Sequence, residues 1–116
     1  MKTINSFKNA FKGGAITFSS QRNFRFHVSV FIMVAVLGLL YKINLSEWCI
    51  FLQSSGLVLI AEMFNTSLEY LCDFITKEKK EEIRKVKDVA AGAVLIAALI
   101  SLIIGVIIFL PRMFHF

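Results

Sequence analysis

Charge is what this 116-residue sequence has least of: 18% of its residues are Asp, Glu, Lys or Arg, whereas 57% are hydrophobic. An average soluble domain is about 25% charged and about 45–50% apolar. The apolar excess comes in blocks, which excludes an ordinary soluble domain and marks a membrane protein. At this length a single domain is expected. No cleavable leader is expected either. The N-terminal segment carries Lys2, Lys8, Lys12, Arg22 and Arg25 but no continuous apolar core followed by a small-residue cleavage site. Acidic residues are outnumbered 8 to 13, and the net charge of +5 gathers near the ends of the apolar runs. Anionic headgroups explain that placement, and no basic patch interleaved with aromatics points to nucleic acid. Cysteine is scarce as well. Cys49 and Cys72 fall on one apolar segment, where a helical rise puts them roughly 34 Å apart, too far for a disulfide. With no CxxC and no neighbouring His, both read as small buried apolar residues.

Three uncharged runs organise the rest. The first is FHVSVFIMVAVLGLLY, Phe26 to Tyr41, extended by Phe24 and Ile43 towards the length of about 20 residues that a bilayer core of about 30 Å requires. WCIFLQSSGLVLIA, Trp48 to Ala61, continues without a breaker into AEMFNTSLEYLCDF. The third, VAAGAVLIAALISLIIGVIIFL, runs from Val89 to Leu110 and is expected to stop at Pro111. Its Gly92, Gly105 and alanines permit close helix packing in lipid. The expected fold is therefore all-α and membrane-embedded, an N-terminal amphipathic surface helix followed by three transmembrane helices. Its segments are an interfacial arm at 1–24, span 1 at 25–43, span 2 with a cytoplasmic extension at 46–75, a basic loop at 76–88 and span 3 at 89–110.

The connections orient these spans. KINLSE, from Lys42 to Glu47, is a short and nearly neutral hairpin, whereas TKEKKEEIRKVKD, from Thr76 to Asp88, holds six Lys or Arg. The positive-inside rule puts that loop and the basic N-terminal arm in the cytoplasm, which predicts a multi-pass protein with a cytoplasmic N-terminus and its C-terminus outside. Only Arg112 and His115 follow the last span among charged or titratable residues. In the arm, Ile4, Phe7, Phe11 and Phe18 fall within about 60° on a helix, flanked by Lys8 and Lys12. Such a helix lies in the headgroup plane, with Gly13-Gly14 as a place to bend.

The acidic end of span 2 carries the chemistry. From Glu62, the residues Asn65, Glu69 and Asp73 lie three, seven and eleven positions on. On a helix that places all four within an arc of about 80°. Counted from Trp48, the stripe starts in the inner leaflet, roughly 21 Å along the helix, and emerges at the cytoplasmic interface. Ionisable groups at such depth cost about 2.5–3.5 kcal/mol each on insertion scales. Three acids on one face repel one another unless a cation joins them, and Mg²⁺ with phosphate would do so. A desolvated Glu62 suits a general base for an alcohol, and Asn65 can orient a phosphate or hydroxyl. Spacing alone leaves other readings open: interhelical hydrogen bonding, a solvated helix end, or an i, i+4 pair between Asp73 and Lys77. Lys87 and Asp88, just before span 3, have the same double reading. Lys87 could neutralise phosphate charge or reach to headgroups, and Asp88 could cap the third helix.

Taken together, AEMFNTSLEYLCD and KDVAAGAVL resemble the prokaryotic diacylglycerol kinase family of small three-span lipid kinases. Its pattern E-x-x-N-[ST]-x-x-E-x-x-x-D is met by Glu62, Asn65, Thr66, Glu69 and Asp73, and its K-D-x-x-[AGS]-[AG]-A-V by Lys87, Asp88, Ala91, Gly92, Ala93 and Val94. The resemblance covers essentially the whole chain. It implies transfer of the ATP γ-phosphoryl to the hydroxyl of a membrane lipid alcohol with Mg²⁺ as cofactor. Glu62 would be the catalytic base and Glu69 a metal ligand, with Gln21, Asn65, Asp73, Lys87 and Asp88 lining the nucleotide and phosphate site of a bacterial inner-membrane enzyme. QRNFRFH is similar to the family's entry into span 1, with Arg25 near lipid or phosphate. At Gln21 the family usually has a metal-holding glutamate, so this chain offers a weaker, neutral ligand there. The resemblance further implies a homotrimer with shared sites, and RNFRFH is closer to the branch that phosphorylates undecaprenol than to the one that uses diacylglycerol. FKGGA has neither Walker nor kinase glycine-loop spacing, so any nucleotide site here must work by positioning and charge neutralisation. Two readings from other classes remain beside it: a non-catalytic membrane assembly protein and an ion pathway subunit.

Overall fold

In lipid every backbone N–H and C=O must find its partner within the segment, so uninterrupted apolar runs become helices. The computed structural model, which describes residues 2–114, contains four: α1 (Lys2–Ser20), α2 (Arg22–Leu40), α3 (Leu45–Ile75) and α4 (Glu81–Phe114). Among the described residues there is no strand, and α2, α3 and α4 are each long and apolar enough to cross a bilayer. The all-α expectation of a surface helix and three spans holds. His115 lies outside the described residues.

Local chemistry sets the boundaries. Gln21, at φ −116° and ψ 112°, is the only residue between α1 and α2, so the chain turns there, and helix α1 runs unbroken through Gly13-Gly14. Helix α2 ends in a Schellman motif: Ile43 N–H donates to Gly38 C=O and Lys42 N–H to Leu39 C=O. Lys42 takes the left-handed conformation (φ 53°) that this motif demands. Gly38 is needed for a different reason, since a Cβ there would lie 2.9 Å from the Trp48 ring. Asn44 then caps α3 in a reciprocal box, its side chain accepting from Glu47 N–H while Glu47 accepts from Asn44 N–H.

Two boundaries differ from expectation. Helix α4 begins at Glu81, inside the segment expected to be a loop to 88, because Glu81 and Glu82 favour a helix N-terminus and Arg84 pairs with Glu81 one turn on. Asp88 therefore lies within the helix and does not cap it. Nor does Pro111 stop α4, which continues to Phe114. A proline near a helix end forfeits one backbone bond and little else, since the last turn has few bonds left to lose.

Helix α3 is the centre: α4 packs along its length, α2 and α1 pack against it elsewhere, and the backbones of α2 and α4 stay apart. The apolar core sits at the hairpin end, where Ile43, Phe51, Ile108 and Phe109 are buried among Phe31, Val34, Leu37 and Trp48. Phe51 stacks on Phe31 at 5.3 Å and meets Trp48 edge-on. At the same end Arg112 forms a bidentate pair with Glu47, at 2.6 and 2.7 Å, tying the last turn of α4 to the first turn of α3. Cys72 is buried, as expected, but Cys49 faces outward. Ile4, Phe7, Phe11 and Phe18 are all exposed on α1, although the Phe18 ring meets Phe24 of α2 edge-on at 6.5 Å.

Candidate functional site

The opposite end of the molecule is built on polar groups. Because α3 continues as one helix to Ile75, the stripe from Glu62 to Asp73 stays on a single face, and α2 and the end of α1 pack against it. Glu62 is only 2% exposed, deeper than any other charged residue described. Its neighbour across the helix gap is His27 of α2, whose Nε2 lies 3.5 Å from Glu62 Oε1. That oxygen is enclosed and has no hydrogen-bond partner. Thr66, also buried, donates to the Glu62 carbonyl at 2.8 Å, which fixes its own rotamer on the same face.

One turn towards the helix end, three residues meet. Asn65 Nδ2 donates to Glu69 Oε1 at 3.3 Å, and Gln21 Nε2 faces Glu69 Oε2 at 3.4 Å. Gln21 reaches Glu69 because it is the turn between α1 and α2, which points its side chain at α3. Asn65 Oδ1 is a second enclosed oxygen without a partner. Further on, Lys87 of α4 pairs with Asp73 at 3.0 Å. An i, i+4 pair of Asp73 with Lys77 is one of the readings its spacing leaves open; with α4 starting at Glu81, a helical Lys87 lies beside α3 and takes that carboxylate.

Two expected site residues stand apart. Asp88 is exposed and makes no hydrogen bond or ion pair with the others among the described residues. Arg25 donates from Nη1 to the carbonyls of Phe18 and Ser19, at 2.7 and 3.0 Å, so it satisfies the C-terminal end of α1 and braces the turn at Gln21. His27 was not singled out from the sequence. The available signal was a titratable side chain at the start of an uncharged run, a position that is costly without a use.

Between α2 and α4, floored by α3, runs an apolar cleft of about 490 Å³, bounded by Phe26, His27, Val34, Ser55, Ser101 and Gly105 among others. His27 therefore touches both the cleft and the buried carboxylate. As for metal, no three His, Cys, Asp or Glu side chains converge among the described residues. The donor set is one carboxylate, Glu69, with the amides of Gln21 and Asn65. That suits a hard divalent ion taking its remaining ligands from phosphate and water, and the unsatisfied Asn65 oxygen is the kind of atom a cation completes.

The chain that builds this site is similar in sequence to known proteins. The sequence profile described as "Prokaryotic diacylglycerol kinase" matches residues 8–109. The chain belongs to the prokaryotic diacylglycerol kinase family. Among curated members of this kinase family, it is similar to an "Undecaprenol kinase" of Bacillus subtilis (strain 168), with 38% identity over 108 residues, 93% of this chain and 88% of that protein. It is also similar to a "Diacylglycerol kinase" of Synechocystis sp. (strain ATCC 27184 / PCC 6803 / Kazusa), with 36% identity over 107 residues, 91% of this chain and 61% of that protein. The family resemblance read from the two motifs is thus established, and with it the coarse function of a prokaryotic membrane lipid kinase.

Proposed function

We propose that the protein transfers the γ-phosphoryl group of ATP to the primary hydroxyl of a membrane lipid alcohol, with undecaprenol as the acceptor. One observation carries the reading: a carboxylate, Glu62, only 2% exposed in a membrane helix, with an enclosed oxygen that makes no hydrogen bond among the described residues. A group so costly to bury is kept for use. Glu62 takes the proton of the acceptor hydroxyl as the oxygen attacks the γ-phosphorus, and the O–P bond to ADP breaks. Glu69, Gln21 and Asn65 would hold Mg²⁺, which when bound neutralises phosphate charge. Lys87 offers its ammonium to phosphate, with Asp73 holding it in place. Asp88 and Arg25, which stand apart from these groups, are assigned to the nucleotide and lipid sites by the family resemblance alone. The basic arm and the 76–80 connection face the cytoplasm, where ATP is.

The acceptor's hydrocarbon chain lies in the cleft between α2 and α4, whose walls carry few polar groups besides His27, Ser55 and Ser101. A polyprenol, hydrocarbon apart from its hydroxyl, matches walls so largely apolar. The similarity to the Bacillus subtilis undecaprenol kinase over nearly the whole of both chains points the same way. Working units are homotrimers with shared sites, and at Gly92 an added Cβ would meet nothing within 4 Å among the described residues, which leaves room for a second copy.

The test is a side-by-side assay of undecaprenol and diacylglycerol in mixed micelles with Mg-ATP. Turnover is expected with undecaprenol in excess, and Glu62→Gln is expected to lower kcat by at least about 10²-fold, a general base's usual contribution, with helicity and melting unchanged. Equal rates for the two lipids would refute the acceptor assignment. Full activity of Glu62→Gln would refute the base. Proton or cation flux through liposomes without ATP, in a protein that transfers no phosphoryl, would favour an ion pathway instead.

A further inference from the structure

We infer that His27 is a positioning residue for Glu62, holding one carboxylate oxygen so that the other faces the acceptor hydroxyl. This rests on the reading of Glu62 as the base. Three observations lead to it. Glu62 Oε1 is enclosed with no hydrogen bond, and among the described residues the only cationic or ring nitrogen within ion-pair reach is His27 Nε2, at 3.5 Å. The two side chains come from different helices, so their approach is a product of how α2 packs on α3 and not of local sequence. His27 also borders the apolar cleft, with the Phe26 ring edge-on to it at 5.6 Å.

The geometry gives the imidazole a definite task. A carboxylate on a single flexible stem can turn about its terminal torsion, and only one orientation aims a lone pair at the incoming hydroxyl. An N–H donated from a second helix removes that freedom. The 3.5 Å separation is long for a hydrogen bond, and shortens to bonding distance with a small rotation of either side chain once the acceptor fills the cleft. The lipid proton still goes to Glu62, and His27 neither touches the phosphoryl group nor forms a covalent bond. Its removal should therefore slow the chemical step and leave nucleotide binding alone.

The experiment compares wild type, His27→Ala, His27→Asn, His27→Gln and Glu62→Gln in undecaprenol micelles with Mg-ATP, reading kcat, KM for Mg-ATP and melting temperature. His27→Ala is expected to lower kcat by about 10–100-fold, the usual loss when a supporting partner of a functional group is removed, with KM for Mg-ATP unchanged. His27→Gln, whose amide N–H can occupy the place of Nε2–H, should restore most of that loss. His27→Asn, one methylene shorter, should not. Wild-type kcat in His27→Ala overturns the inference, and so do equal rates for the Gln and Asn variants. If His27→Ala fails to fold, the Gln–Asn comparison decides alone. Were Glu62→Gln active, the parent reading would fail first; an inactive Glu62→Gln beside unimpaired His27 variants would sink only this inference.

Discussion

A single amide links the arm to the polar end of α3. Gln21 stands at the turn between α1 and α2 with Nε2 facing Glu69 Oε2 at 3.4 Å. The neutral side chain can hydrogen-bond that carboxylate without metal, so the site does not depend on a cation to hold it together. Gln21→Glu would set two carboxylates face to face, and like charges so close repel unless a cation bridges them. Two results are expected of this variant. Its half-saturating Mg²⁺ in the lipid kinase assay should fall severalfold below that of wild type, and its melting temperature in EDTA should drop and recover on adding Mg²⁺. Superimposable Mg²⁺ curves for the two proteins would mean that Gln21 is not near the ion. The sequence had pointed to this position, but not to its partner: Gln21 and Glu69 are 48 residues apart and meet only through packing.

At the scale of the helix, patterning predicted well what periodicity and hydropathy govern, and poorly what depends on another element. The stripe on α3 follows from 100° per residue and survives intact, as does the amphipathic face of α1. The start of α4 was misplaced because hydropathy reports where a helix enters lipid, whereas Glu81 and Glu82 start it two turns earlier in water. That shift explains the unexpected Asp73–Lys87 pair. The link between Arg112 and Glu47 had no local sign at all, since 65 residues separate them. It has a mechanical consequence. The last turn of α4 is fastened to the capping box of α3 by two charge-assisted bonds, with both side chains less than a third exposed. Arg112→Met would keep the stem but lose the fork, leaving Glu47 bonded to Asn44 alone. A loss of about 1–3 kcal/mol is expected in denaturation of the micelle-bound protein. Adding Glu47→Gln should cost much less than the sum of the two single changes, because the partner it would orphan is already gone. Full additivity would show that the pair does not couple the helices.

Across the whole molecule, the two ends of the bundle divide the labour. The hairpin end holds the apolar core of Ile43, Phe51, Ile108 and Phe109. The other end buries Thr17, Glu62 and Thr66 and holds the amides and carboxylates. In lipid, removing an apolar side chain forfeits little transfer energy, because the tails outside are as apolar as the interior. What remains is the dispersion lost around the cavity. Phe51 is 5% exposed, stacked on Phe31 and edge-on to Trp48, so its cavity has walls that cannot readily close. Phe51→Ala should therefore cost about 2 kcal/mol, below the roughly 3–5 kcal/mol that such a change costs in soluble proteins. Its folded fraction should keep the wild-type KM for Mg-ATP, because that ring lines the acceptor cleft and not the Gln21–Asn65–Glu69 cluster. Glu62→Gln should do the reverse, sparing stability and removing turnover. A burden of buried charge so far from the packing core can be tolerated because the core does not depend on it, and the core can be loosened without disturbing the charges. If Phe51→Ala shifted the nucleotide KM as strongly as it lowered the melting temperature, the two ends would be one cooperative unit, and α3 would be transmitting strain along its whole length.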